Sequence, residues 1–168
     1  MRPGSNLIIY EEDLSRINAC LKALQDNART NAILLIDKTG QLITGAGETD
    51  GLDSTSLASL AAGNIAASGG LAQLLGEKEF SVVLHEGKQR HLHLSVVGGE
   101  IILLVLFDYR TPAGLVRLRV RKYALEIRRI FEEISRRPVD YQGEGRPLPQ
   151  SIFREISDTD IENLFGRG

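Results

Sequence analysis

Residues 53–77 read DSTSLASLAAGNIAASGGLAQLLGE, and the interpretation of the whole chain starts from this stretch. Asp53 and Ser54 can each cap the start of a helix, and Gly76 suits the left-handed turn that ends one. Between them the leucines recur at helical spacing, while most other positions hold Ala, Gly or Ser. Three glycines fall inside this predicted helix, at Gly63, Gly69 and Gly70. Each costs about 0.8–1 kcal/mol relative to alanine, so the small side chains need a reason other than helix stability.

A helical projection divides this stretch into two sides. We expect one side to lie on the domain's own sheet, and it carries Leu57, Leu60, Leu71, Leu74 and Leu75. The opposite side carries only small or uncharged residues, namely Ser59, Ala62, Ala66, Gly69, Gly70 and Gln73. A solvent-facing helix surface would instead carry Lys, Glu and Arg. The bare side therefore predicts that another backbone approaches closely, either from the same chain or from a protein partner.

Elements on both sides of this helix complete an αββαβββα order. Before it, the patterns predict a helix over 11–24 and strands over 32–37 and 41–46; after it, they predict strands over 79–85, 89–97 and 100–107 and a helix from 112 to 137. Turn residues between the last three strands are typical of hairpins. The sequence thus predicts an α+β fold in which the last three strands form an antiparallel meander.

The composition changes after this predicted domain, which we place at 1–137. Residues 138–152 are rich in Pro and Gly and predict a flexible linker. An acidic amphipathic segment, 153–168, follows, with apolar residues Phe153, Ile156, Ile161, Leu164 and Phe165. A helix this short is marginal alone in water, so we expect it to order only against a partner or against its own domain.

Composition and charge exclude several classes of protein. A net charge of −2 gives no general attraction to nucleic acid or to an anionic membrane. The start of the chain lacks the pattern of a signal peptide, and no apolar run is long enough to span a bilayer, which predicts a cytoplasmic protein. The single cysteine, Cys20, lies in a helical pattern and is interpreted as a small core residue.

No motif for enzymatic chemistry emerges from the remaining residues. His91 and His93 share one strand face, which we interpret as solvated, and neither they nor His85 have further ligands at metal spacing. The glycine-rich stretches GAGETDG and GNIAASGG lack the Lys-Ser/Thr of a phosphate loop. We therefore predict no catalytic residue, no metal and no cofactor.

The helix 112–137 carries eight arginine and lysine residues. They surround its apolar stripe and alternate with glutamates, which favours a solvated surface over a nucleic-acid interface. A protein that uses this helix on nucleic acid or a membrane surface is kept as an alternative.

Five stretches carry a resemblance to a known family: IYEEDLSRINA, LLIDKTGQLI, the helix from Asp53 to Glu77, LFDYRTPAGLVRLRV and EISDTDIENLF. Together they resemble bacterial MglB proteins of the Roadblock/dynein light-chain family, from about Leu7 to Phe165. The resemblance implies that the five strands form one antiparallel sheet between helices. The resemblance implies a cytoplasmic homodimer, concentrated at a cell pole, that acts in polarity and motility. Its partner would be MglA, a Ras-like GTPase whose GTP hydrolysis two protomers accelerate.

The resemblance also implies which parts of this chain make the contacts. The bare side of the second helix, Ser59 to Gln73, would face the GTPase; the third strand would pair across the dimer; and Phe153 to Phe165 would touch the GTPase and tune nucleotide exchange. The GTPase would supply its own arginine. Arg110, in a loop, is the one arginine of this chain that we considered for such a role. A Roadblock-fold dimeric scaffold that binds a GTPase without activating it remains the alternative.

Overall fold

The computed structural model describes residues 7–138, which form the predicted αββαβββα arrangement. Their helices are α1 (Glu11–Ala28), α2 (Ser54–Leu74) and α3 (Ala113–Arg136), and their strands are β1 (Ala32–Asp37), β2 (Leu42–Gly47), β3 (Val82–Glu86), β4 (Arg90–Val97) and β5 (Ile101–Asp108). The bounds of most strands agree with the sequence prediction within one or two residues. Two differ more: α1 runs four residues further, and β3 starts three residues later. The predicted linker 138–152 lies outside the described residues except for residue 138, and the segment 153–168 lies wholly outside them.

The five strands form one open antiparallel sheet in the order β2-β1-β5-β4-β3. The central strands β1 and β5 are buried on both faces, as their unbroken apolar runs predict. Helices α1 and α3 cover one face, and α2 covers the other. The predicted α+β architecture is confirmed.

The α1–α3 layer carries the larger core. Ile17, Leu21 and Leu24 of α1 and the apolar stripe of α3 bury against β1 and β5. An ion pair joins the start of α1 to the end of α3. Arg137, directly after α3, donates to both carboxylate oxygens of the buried Asp13 at 2.7 and 2.8 Å. Cys20 is 7 % exposed in this core, and burial raises the pKa of its thiol to about 11. Its interpretation as a core residue is confirmed.

The opposite layer is thin, and the sequence prediction of which side of α2 lies on the sheet is wrong. Ala58, Ala61 and Ala62 are buried against large side chains that come from the sheet, among them Leu34, Ile36, Leu94, Ile102 and Leu104. Large side chains of the sheet already fill this layer, so the buried contacts of the helix are made by its small residues, and Leu57 and Ile65 pack half-buried beside them. The leucine side, predicted to be the inner one, mostly points away.

A close backbone contact fixes how near α2 approaches. Gly40, in the turn between β1 and β2, has a φ of +95°. A Cβ at this position would lie 3.1 Å from Cα of Ser59 and 3.5 Å from Cβ of Ala62. Both the left-handed backbone and the contact with α2 therefore favour glycine here.

Substitutions on the two sides of α2 test this orientation. Ala58→Leu should destabilise the fold by about 1–3 kcal/mol, because Ala58 is fully buried against the sheet and the added atoms overpack this layer. Ala66→Leu on the exposed side should change the free energy of unfolding by less than about 0.5 kcal/mol. Urea unfolding measures both. Equal losses, or a larger loss at Ala66, would contradict the orientation.

The interpretation of the β4 histidines as a solvated face is wrong for His93. Its side chain lies on the α3 side of the sheet, paired across strands with Leu84 and Val105, and is 2 % exposed. His91, on the same face, is half-buried and its ring lies 5.2 Å from that of Phe107. Burial lowers the pKa of His93, and the nearby charge of Arg117 acts in the same direction.

This lowered pKa predicts a loss of stability in mild acid. Below pH 6.5, the ordinary pKa of the group, the unfolded state binds a proton that the folded state does not, so the free energy of unfolding falls as the pH falls. The slope from this group is at most about 1.4 kcal/mol per pH unit. Unfolding curves between pH 7.5 and 5.5 should show a shallower dependence for His93→Leu. His85→Leu, at an exposed position, is the control. If His93→Leu left the pH dependence of the free energy of unfolding unchanged, the role given to His93 would be contradicted.

Candidate functional interface

The outer surface of α2 is an exposed helix surface that carries no charge. None of the residues from Ser54 to Leu74 is charged. Exposed apolar side chains on this surface are large as well as small: Leu60, Leu71 and Leu74 are 72, 57 and 84 % exposed, and Leu75 just beyond is 72 % exposed. A helix face without charge but with exposed leucines is typical of a protein contact surface.

The residues predicted for this contact separate into three groups. Ser59, Ala66, Gly70 and Gln73 are exposed on the outer surface, and Gly69 is half-buried at its margin. Ala62 is buried between α2 and the sheet, so its assignment to an open contact surface is wrong. Five of the six predicted contact residues are therefore at least partly accessible on this surface.

Sequence reasoning missed the leucines of the outer surface. Leu60, Leu71 and Leu74 were assigned to the sheet because large apolar residues are usually the inner ones. The signal that could have corrected this lies elsewhere in the chain. Both β1 and β5 are apolar at nearly every position, so they supply large side chains to both faces of the sheet.

The glycines of α2 have no packing role within the described residues. A Cβ built at Gly63, Gly69 or Gly70 would meet nothing within 4 Å. Gly63 and Gly70 are exposed. What the glycines leave open is a stretch of helix backbone next to the leucines, where a partner's backbone could approach closely.

Strand β3 forms the edge of the sheet beside this layer. Within residues 7–138 it pairs only with β4, so its outer edge keeps unpaired backbone groups. Leu84, at its centre, is 42 % exposed. Val83 packs against the cluster beneath α2. An edge strand that exposes an apolar residue is a ready site for pairing with another strand.

A hollow of about 410 Å³ lies between the start of α2, β3 and the sheet. Aliphatic residues form most of its wall, including Leu34, Leu52, Leu57, Leu92 and Leu104. The wall on the side of the β3–β4 hairpin is polar and is formed by His85, Glu86 and Arg90. The hollow suits an apolar side chain of a partner better than a charged ligand.

The start of α2 is fixed by Asp53, as predicted. Its carboxylate accepts hydrogen bonds from the backbone N–H of Ser56 at 3.1 Å and from the Ser56 hydroxyl at 2.6 Å. These bonds lower the pKa of Asp53. The cap holds the beginning of the uncharged helix in one position.

Arg110 lies on the loop between β5 and α3. Its guanidinium binds Asp108, with Nε 3.0 Å from Oδ1 and a terminal nitrogen 2.7 Å from Oδ2. This pair holds the pKa of Asp108 well below its usual range. The next residue, Thr111, is buried and its hydroxyl donates to the carbonyl of Arg29 at 2.7 Å. The FDYRT stretch thus acts structurally, joining the ends of β5, α1 and α3.

No group of three or more His, Cys, Asp or Glu residues among residues 7–138 is arranged to hold a metal ion. No helix of this region is long and apolar enough to cross a membrane. The predicted contact residues Phe153, Ile156, Ile161, Leu164 and Phe165 lie outside the described residues.

Comparisons with known proteins identify the family. A family model for the Roadblock/LC7 domain matches residues 16–107. Among solved structures, MglB of Myxococcus xanthus is 50 % identical, with a TM-score of 0.69 over 71 % of this chain and 97 % of that one. The gliding protein MglB of Thermus thermophilus is 30 % identical, with a TM-score of 0.71 over 76 % of this chain and 97 % of that one.

A structure described as MglB with a tetrameric arrangement is also 30 % identical, with a TM-score of 0.73 over 77 % of this chain and 97 % of that one. The curated proteins that were compared give no match. The family model and the 50 % identical structure agree with the predicted fold and with the resemblance. The chain therefore belongs to the Roadblock/LC7 family and is an MglB-like member of it.

Proposed function

We propose that this protein is a homodimeric GTPase-activating protein that binds a Ras-like small GTPase of the MglA type through α2. The observation that carries the proposal is the outer surface of α2, uncharged over its whole length and lined by exposed leucines and open glycines. Membership of the MglB-like group supports the choice of partner.

The proposed role is one of shape rather than of chemistry. GTP hydrolysis needs a positive group near the developing charge and an aligned attacking water. Residues 54–74 offer no charged group to donate. We propose that α2 packs against the switch regions of the GTPase and holds them in the active arrangement, while the GTPase supplies its own arginine.

Arg110 is a poor candidate for an inserted arginine. Its guanidinium makes three hydrogen bonds to Asp108, and using it on a phosphate would break all three. This supports a mechanism in which the activator contributes no catalytic residue.

The proposed dimer forms through β3. Pairing of this edge strand with β3 of a second copy would satisfy its unpaired backbone groups, cover the exposed part of Leu84 and extend the sheet. Two α2 helices would then lie on the same face of the extended sheet, which suits the binding of one GTPase by two protomers.

We propose that the domain ends near residue 137 and that the segment 153–168 makes a second contact to the GTPase through Phe153, Ile156, Ile161, Leu164 and Phe165. Its effect would be on nucleotide exchange. Because the chain resembles MglB proteins, we propose that it acts at a cell pole in the cytoplasm and regulates polarity and surface motility.

An Ala→Arg substitution on α2 tests the proposal. Ala66→Arg should leave the fold intact, because Ala66 is exposed, and should reduce the stimulation of GTP hydrolysis at least about tenfold. The cause is a long charged side chain forced into a close, uncharged contact. Single-turnover GTP hydrolysis by the MglA-type GTPase, with and without this protein, measures the effect.

The matched control is Ala19→Arg, since Ala19 is exposed on α1 at the other face of the sheet. It should stimulate hydrolysis like the unchanged protein. Full stimulation by Ala66→Arg would contradict the α2 contact. Binding of the GTPase without any stimulation by the unchanged protein would instead identify a scaffold.

A further inference from the structure

We infer that the outer face of α3 is a docking site for the acidic C-terminal segment, residues 153–165, of the same chain. The inference goes beyond the proposed function, because α3 lies on the face of the sheet opposite α2 and the contact needs no GTPase. The site combines two exposed leucines with a row of cations.

The leucines stand where a solvated helix would be polar. Leu118 and Leu125 are 62 and 55 % exposed and lie seven residues apart, two turns along one face. The apolar stripe that α3 buries, including Val120 and Ile127, points the other way. Single exposed leucines are common on protein surfaces, but two aligned at this spacing form a stripe that an apolar segment could cover.

Cations surround this stripe at helical spacing. Arg121 and Lys122 lie between the two leucines, and Arg129 and Arg136 follow at the next turns; all four are exposed. Among residues 7–138, none of these four forms an ion pair. The one carboxylate on the same face, Glu132, is bound by Arg128 at 2.8 Å.

The C-terminal segment complements this face in sequence. Residues 153–165 read FREISDTDIENLF, with five large apolar residues, four carboxylates and one arginine. The basic outer face of α3 with its apolar stripe is thus complementary in charge and apolar pattern to the acidic segment 153–165. Opposite charges around an apolar contact favour and orient such a pairing.

The chain can reach the site. α3 ends at Arg136, and residues 138–152 separate it from the segment. Fifteen residues span up to about 50 Å when extended. Leu125 lies about 16 Å and Leu118 about 27 Å back along the helix from its end, at 1.5 Å per residue. Docking within one chain is therefore geometrically open, and covalent connection raises the effective concentration of the segment at α3.

Docking on α3 would keep the segment away from the α2 surface. A GTPase that binds the segment must first draw it from α3, which makes its release a point of regulation. An anionic membrane could also attract this basic face. Retention on vesicles distinguishes membrane binding from docking of the C-terminal segment.

A single tryptophan reports the contact, because the chain contains none. In full-length Leu164→Trp without GTPase, the indole should emit at shorter wavelength than in urea and be shielded from acrylamide. Adding Leu118→Ser and Leu125→Ser should return both signals to those of an exposed indole. Charge reversal at Arg121→Glu with Arg129→Glu, or high salt, should act in the same direction.

The matched control changes two leucines on α2, Leu74→Ser with Leu75→Ser, which are 84 and 72 % exposed. It should leave the indole shielded, and circular dichroism should show every variant folded. A fully exposed indole in Leu164→Trp, or exposure caused by the α2 pair and not by the α3 pair, would overturn the inference. Loss of shielding on hundredfold dilution would overturn docking within one chain. An exposed indole together with retention on phosphatidylglycerol vesicles that needs Leu118 and Leu125 would assign the face to a membrane. None of these results bears on GTPase activation.

Discussion

The alanine layer beneath α2 is the constraint on which the functional surface depends. Large side chains from β1, β4 and β5 fill the space between sheet and helix, so α2 packs on them mainly through Ala58, Ala61 and Ala62, with the half-buried Leu57 and Ile65 beside them. Because side chains keep fixed directions around a helix, the side that packs on the sheet also determines which side chains face outward. The leucines therefore point outward, and a helix without one charge is left exposed in water.

The two faces of the sheet consequently differ in character. α1 and α3 bury a thick core and expose charged side chains, including the pair of Arg16 with Glu133 at 2.8 Å. α2 buries little and exposes leucine, alanine and glycine. Exposed apolar surface of this kind is typical of a site where a protein partner binds. The edge strand β3 adds a second open contact at the border of the same layer.

Sequence patterns predicted most of the fold and only part of the site. Apolar runs and turn residues located β1, β4 and β5 closely, because both signals are local. The inner side of α2 could not be found this way, since Ala, Leu and Gly make the helix moderately apolar all round and its periodicity does not single out one side. That choice depends on the size of side chains from distant strands such as Leu34 and Leu104. His93 was misjudged for the same reason, because α3 covers it from far along the chain.

The central claim is the proposal that the outer surface of α2 receives the GTPase. Amide hydrogen exchange of the full-length protein, with and without the GTP-loaded MglA-type GTPase, tests it most directly. The account predicts slower exchange of backbone amides in α2 when the GTPase is added, with α1 unchanged. Slower exchange in α1 or α3 while α2 stays unchanged would contradict it.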